Sequence, residues 1–310
     1  MKQRVIGYRP NLSGLTTQAA RATPWTPRRL RPPEAASTGG CSNFAPTVVF
    51  HGYTIVELIG RGSFGSVWKG KKDGLEYALK CGSDASDVAK ETQILLALKS
   101  EQCTCKHVVL HEEIINNVIV MTLCYASLQG DQEQQEWNVD NAHVILSGTA
   151  QGLEELHRLH VCHRDIKLAN IVRCNWDVVK IIDLGIAKKL SPGQTKVDEF
   201  EGTDEYLAPE LFWKGEYNLN VDVWALAIVL GQCVQDPPDI IPRLMQERQS
   251  LFTIGFIVQD PNLRVPKPDC PYKELFTHML CDAADRWSST QVCEYMLTIG
   301  GERRKVREYN

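Results

Sequence analysis

The sequence predicts an α+β protein in which strands dominate the first half and helices the second. Three observations carry this expectation. From Tyr53 to Lys80, strand-like runs alternate with glycine-bearing turns, the pattern of successive hairpins. From about Asn141 to Leu159, Val144, Ile145, Leu146, Leu153, Leu156 and Leu159 recur at helical spacing. The longest apolar stretch, Val221 to Val234, predicts a helix at the centre of the second half.

Composition narrows the class. At 310 residues, 43% apolar and 23% charged, the chain has the make-up of an ordinary soluble globular protein with one large domain or two small ones. Val221 to Val234 contains Asp222 and Gln232 and is too short to cross a bilayer, so no membrane span is predicted. The eleven cysteines are scattered, and Cys103-Thr104-Cys105 is the only close pair. No second pair or histidine doublet completes a zinc site. Dispersed thiols of this kind predict free cysteines in a reducing, intracellular compartment, cytoplasm or nucleus.

Charge is uneven. Residues 1–46 carry seven basic side chains against Glu34 alone, a net +6, which leaves −10 for the remainder of a chain whose formal charge is −4. That first segment is rich in Pro, Ser, Thr and Ala without a sustained apolar period, which predicts a flexible tail. Two sharper alternatives stay open: organelle targeting, marked by arginines without acids, and nuclear localisation through Arg28-Arg29-Leu30-Arg31. A basic tail beside an acidic body is also suited to docking on that body or on partners.

The first predicted strand, Tyr53 to Ile59, runs into Gly60-Arg61-Gly62-Ser63-Phe64-Gly65, and Ser66-Val67-Trp68-Lys69 resumes extended structure. The glycines therefore sit in a hairpin. Dinucleotide-binding folds use the same spacing to open a helix and place phosphate at its N-terminus. Here a strand follows instead, which predicts a flap whose backbone N–H groups cover phosphates. Lys71-Lys72-Asp73-Gly74 makes the next turn and Glu76 to Lys80 the next strand. A helix follows, with Ile94, Leu95 and Leu98 on one face and Glu91 one turn before Leu95. Val118 to Met121 reads as a buried strand leading to Thr122-Leu123-Cys124.

The helix from about Asn141 delivers the chain to His163-Arg164-Asp165-Ile166-Lys167-Leu168-Ala169-Asn170, and strand-like Val178 to Ile182 delivers it to Asp183-Leu184-Gly185. A candidate base, a lysine and two hard oxygen ligands within one stretch suit metal-assisted phosphoryl transfer. In that chemistry the protein mainly positions groups and stabilises spreading negative charge. Singly, each side chain reads as an exposed loop residue; together they read as a site.

From about Tyr53 to Met296 these segments, in this order, resemble the eukaryotic-type protein kinases. Glu76-Tyr77-Ala78-Leu79-Lys80 resembles their V-A-I-K strand, Glu91-x-x-Ile94-Leu95 their C-helix, and Gly202-Thr203-x-x-Tyr206-x-Ala208-Pro209-Glu210 the end of their activation segment. The Lys80-to-Glu91 spacing is shorter than is usual there, and Leu184 stands where the family has Phe.

The resemblance implies a two-lobed fold over residues 47–299: a β-rich N-lobe with one C-helix to about residue 123, then a mainly α-helical C-lobe, with a short basic tail at 300–310. It implies ATP and Mg²⁺ as cofactors. Ile59, Gly60, Arg61, Gly62, Ser63, Phe64, Gly65, Val67, Ala78, Met121 and Leu123 would surround the nucleotide, and Lys80, paired with Glu91, would contact its phosphates. Asp165 and Lys167 would be catalytic, and Asn170 and Asp183 would hold the metal. Asp222 would anchor the catalytic loop, and Glu210 would pair with Arg286.

Lys167, with Thr203 bridging it to Asp165, implies a serine/threonine kinase acting on protein substrates, without direct nucleic-acid binding; oligomeric state stays open. Arg164 implies regulation by activation-loop phosphorylation at Ser191, Thr195 or Thr203, unless Asp198, Glu199 or Glu201 satisfies it and basal activity needs none. The alternatives are a pseudokinase or scaffold, a small-molecule phosphotransferase, and a tyrosine or dual-specificity kinase.

Overall fold

The computed structural model describes residues 48–62, 65–82, 85–103, 106–132, 139–175, 178–191, 201–213, 217–234, 236–246 and 249–308. The basic segment 1–46 lies outside them. The first lobe is an antiparallel sheet of β1 (Val49–Phe50), β2 (Tyr53–Gly62), β3 (Gly65–Lys72), β4 (Leu75–Gly82), β5 (His111–Ile115) and β6 (Val118–Thr122), in the order β1-β2-β3-β4-β6-β5. Its one long helix, α1 (Ala85–Ser100), begins three residues after β4 ends.

Period-two alternation splits this sheet between two cores. Ile119 joins Val88, Leu95 and Leu98 of α1 in the main core. Its neighbours Val118 and Val120 join Tyr53 and Leu79 in a second cluster, against Trp68 and Tyr77. A helix with apolar residues on one face thus meets a sheet face that is apolar at every second position.

The second lobe opens with β7 (Ala126–Ser127), α2 (Leu128–Gln132), α3 (Val139–Arg158) and β8 (Val161–Cys162). It continues through the hairpin β9 (Ile171–Asn175) and β10 (Val178–Ile181), then β11 (Lys188–Lys189), which pairs with β8. The helices α4 (Pro209–Trp213), α5 (Val221–Gln232), α6 (Ile240–Leu244), α7 (Leu251–Gln259), α8 (Lys273–Met279) and α9 (Ser289–Glu308) complete it. Every residue of α5 from Val221 to Gly231 is buried, Asp222 included, as a helix apolar on all its faces but for that one carboxylate requires. The strand-rich first lobe and helical second lobe are those expected from the sequence.

Two details depart from the sequence expectation. Cys124 and Cys174 are bonded rather than free. Pairing of Ala126 with Arg173 and Ser127 with Val172 draws the two cysteine Cα atoms to 4.5 Å, a proximity that chain positions 50 apart do not announce. Cys81, Cys162, Cys233, Cys270 and Cys281 are free, and Cys41 and Cys105 lie outside the described residues. Residues 300–308, read as a short basic tail, continue α9. Gly300 and Gly301 weaken the helix there, but Glu302, Arg303, Arg304 and Lys305 are good helix formers and let a helix already nucleated on the lobe run on.

Glu210 and Arg286 join distant parts of the second lobe through two parallel hydrogen bonds of 2.6 and 3.0 Å. Arg286 also donates to the Asn220 and Cys281 carbonyls and lies 5.2 Å from the Trp224 ring centre. Both partners are buried, so removing one leaves the other charged without compensation. Glu210→Ala is expected to cost about 3–5 kcal/mol in chemical denaturation. Arg158→Ala, which breaks the exposed pair with Glu155, should leave the midpoint almost unchanged.

Candidate active site

The glycine hairpin forms as expected. Gly60 pairs with Val67 and Gly62 with Gly65, while Ser63 and Phe64 at its tip lie outside the described residues. Gly65 has a φ of +137°, and a Cβ there would lie 2.0 Å from the Cys81 carbonyl oxygen. Only glycine lets β3 approach β4 at this point. Across the sheet, Val67 pairs with Lys80, and Ala78 with Met121. Paired residues and those two apart point the same way, so these four line one face. Ile59 and Arg61 lie on β2, and Leu123 follows β6 directly. The sheet thus gathers the expected nucleotide-contacting residues along a single surface and its edge.

Lys80 connects the lobes. Its ammonium lies 2.6 Å from Glu91 Oε2 on α1 and 2.6 Å from Asp183 Oδ1. The short β4-to-α1 connection therefore preserves the lysine–glutamate pair. Glu91 is 3% exposed, and its carboxylate also accepts the Leu184 backbone N–H. Burial disfavours charge on Lys80, but Asp183 and Glu91 outweigh it and raise its pKa. Burial likewise works against ionisation of Asp183, where Lys80 prevails and lowers the pKa. At Glu91 burial prevails over Lys80, and the pKa rises. Leu184 is 2% exposed in the core that includes Leu95, filling the place expected for it.

Around Asp165 the contacts converge. Thr203 Oγ1 donates to its Oδ1 at 2.6 Å, while Lys167 Nζ lies 2.8 Å from its Oδ2 and 2.7 Å from Thr203 Oγ1. Asn170 Nδ2 donates to both the Asp165 carbonyl and Oδ2 at 2.8 Å. That leaves Asn170 Oδ1 and Asp183 Oδ2 as hard oxygen atoms without a protein partner among the described residues. They fit Mg²⁺, which accepts few protein ligands and completes its shell with water and phosphate oxygens. Among the described residues no group of three or more His, Cys, Asp or Glu could hold a metal, so a closed protein cage is not the arrangement here.

Beneath this loop lies Asp222, 1% exposed on α5. Its two oxygens accept the backbone N–H groups of His163 and Arg164, each at 2.8 Å. His157 donates to Oδ2 at 2.9 Å through Nε2, and its Nδ1 meets the Ser289 hydroxyl at 2.9 Å. His163 reaches the Ile182 carbonyl at 3.0 Å and accepts the Asp165 N–H at 3.2 Å, linking the catalytic loop to the turn that carries Asp183. Arg164 and Asp183 hold φ values of +67° and +66°, a left-handed conformation that these hydrogen bonds sustain.

Arg164 donates to Glu201 at 2.5 Å, to the Ile186 carbonyl at 2.7 Å and to the Tyr217 hydroxyl at 2.9 Å. Burial pushes the Tyr217 phenol up to about 12, which keeps it a neutral acceptor. His157, Ser289 and Tyr217 were not identified from sequence. Each acts through one contact with a residue far along the chain, and no local pattern marks such a contact. Thr195, Asp198 and Glu199 lie outside the described residues.

Burial raises the pKa of Asp222, but its hydrogen bonds to His157 and the loop outweigh that and hold it below the ordinary carboxylate value. A depressed folded value stabilises the protein above the unfolded pKa of about 4, and the contribution disappears as pH falls through the folded value. Asp222→Asn should therefore flatten the acid limb of stability against pH, read by chemical denaturation from about pH 3 to pH 7.

Glycine hairpin, lysine–glutamate pair, the loop of Asp165, the turn of Asp183 and the Glu210–Arg286 pair follow one another in a single order. The family model described as Protein kinase domain matches residues 53–297, the span that holds all of them. The chain belongs to the protein kinase family.

Proposed function

We propose that this protein kinase is a serine/threonine kinase that uses ATP with Mg²⁺. The observation that carries the reading is the triangle of Asp165, Lys167 and Thr203, with contacts of 2.6, 2.7 and 2.8 Å. A carboxylate so held accepts or orients the proton of an incoming hydroxyl. Lys167 offsets negative charge on the transferred phosphoryl group. Lys80, held by Glu91, meets the nucleotide phosphates beneath the hairpin of Ile59 to Gly65, and Val67, Ala78, Met121 and Leu123 surround the base. Asn170 and Asp183 hold the metal, whose bound form neutralises phosphate charge.

A scaffold on the same fold would ordinarily lack one of Lys80, Asp165, Asn170 or Asp183, and all four are present. Lys167 supports serine and threonine over tyrosine. An intracellular location belongs to the same reading. It rests on the free thiols of Cys81, Cys162, Cys233, Cys270 and Cys281, with the Cys124–Cys174 bond as the feature it must accommodate.

Purified chain, Mg²⁺, labelled ATP and a peptide library test the assignment. Lys80→Ala and Asp183→Ala should each lower incorporation by at least about a hundredfold. Equal incorporation by wild type and both variants would remove the enzyme reading, and phosphotyrosine products would remove the acceptor assignment.

Glu201 already supplies Arg164 with an anionic partner, which supports basal activity without loop phosphorylation. Phosphatase treatment should leave activity unchanged. Glu201→Ala should lower kcat/KM roughly tenfold, the worth of one charge-assisted hydrogen bond.

A further inference from the structure

A cleft of about 300 Å³ lies where the end of α1, the start of β5, the end of β6 and β10 meet, away from the catalytic residues. Lys99, His111, Glu112, Thr122 and Lys180 line it, with Val108 at its base. The segment beneath is fixed between the lobes: Val109 N–H donates to the Ile181 carbonyl at 2.9 Å, and Ile181 N–H to the His107 carbonyl at 2.8 Å. Lys99 and His111 belong to the first lobe and Lys180 to the second.

Three features mark this cleft as more than a surface dent. Neither Lys99 nor Lys180 has a carboxylate partner among the described residues, although both face the same space. The His111 imidazole is 7% exposed and its Nδ1 has no hydrogen-bond partner; that atom is closed to solvent as the ring stands, so a ligand meets it only after the ring turns. A buried polar atom left unsatisfied is costly, and such atoms in native proteins call for a ligand, a water or an ion. Glu112, the one acid in the lining, already accepts the Thr122 hydroxyl at 2.8 Å. The lining thus offers two ammonium groups and an imidazole against one engaged carboxylate.

We propose that this cleft binds a phosphate group, as inorganic phosphate or as a phosphate monoester, through the Lys99 and Lys180 ammonium groups and the His111 imidazole. A dianion matches two lysines, whereas a carboxylate would leave one unmatched. The volume exceeds that of phosphate alone and leaves room for the body of a monoester. Burial and Lys99 hold the His111 pKa down, with Glu112 opposing them. The titratable groups that line the cleft with the ring are Lys99 of α1, Glu112 of β5, Lys180 of β10 and Cys103 of the intervening loop, and of these Lys99 and Glu112 act on its charge. An arriving dianion offsets the lysines and draws a proton onto the ring, so above the ligand's own second pKa, about 6 for a monoester, binding takes up protons at His111. A ligand shared by Lys99 and Lys180 also fixes the spacing of the two lobes. The proposal is independent of the acceptor and nucleotide assigned to the kinase.

The test is calorimetric titration of the full chain with inorganic phosphate, N-acetyl-phosphoserine amide, acetate and chloride at matched ionic strength. Saturable binding of either phosphate compound, but of neither control, is expected, and the two phosphate arms identify the preferred source. Lys99→Ala and Lys180→Ala should each weaken it at least about tenfold, one charge-assisted contact, without lowering the melting temperature. His111→Gln should abolish the proton uptake, read as dependence of the heat on buffer ionisation. No saturable response, an equal response to acetate, or affinity unchanged in both lysine variants (phosphate bound elsewhere, for instance near Lys80) would overturn the proposal.

Discussion

The carboxylate of Asp222 accepts hydrogen bonds from two successive backbone N–H groups, those of His163 and Arg164, and the catalytic loop takes its shape from that turn. A buried anion is expensive unless its lone pairs are filled, and here the loop and His157 fill them. The dependence runs both ways. Arg164 adopts a left-handed conformation that a non-glycine residue rarely holds unaided, and the Asp222 contact compensates it. Because α5 is apolar and enclosed along nearly its whole length, the carboxylate has no freedom to wander, and neither has Asp165 above it.

Between the lobes the governing quantity is charge balance. Lys80 alone faces Glu91 and Asp183 in a setting where burial penalises all three. One ammonium cannot fully neutralise two carboxylates; at Glu91 burial raises the pKa, and the Asp183 charge adds to it against Lys80. A second cation beside Asp183 relieves it. The lysine contact meanwhile keeps the two lobes in register.

Much of the molecule was legible from sequence because its chemistry is local. The hairpin of Gly60 to Gly65, the Lys80 strand and the run from His163 to Asn170 each announce themselves within a dozen residues, and the Lys80–Glu91 and Glu210–Arg286 pairs formed as their resemblance implied. What escaped was long-range and singular. His157 is one polar residue on an amphipathic helix, with nothing in its neighbours to distinguish it from a solvated one. Tyr217 matters only because activation-segment geometry brings Arg164 to it. Cys124 and Cys174 met through strand register, which depends on both ends of a pairing. Glu201 could be named in advance as one of three acids; it is the one of them within the described residues, and there it meets Arg164.

The hydrogen bond from Ser289 to His157 has a consequence for the order in which this protein is made. Ser289 begins α9 and stands 132 positions after His157 in the chain. The ribosome therefore releases the glycine hairpin, the catalytic loop and Asp222 well before the residue that steadies the histidine beneath them. During synthesis the emerging kinase holds every group that does chemistry while its foundation still lacks a strut. Docking of α9 onto α3 sets that contact, so the support beneath Asp222 is the last of these parts to become available to the growing chain.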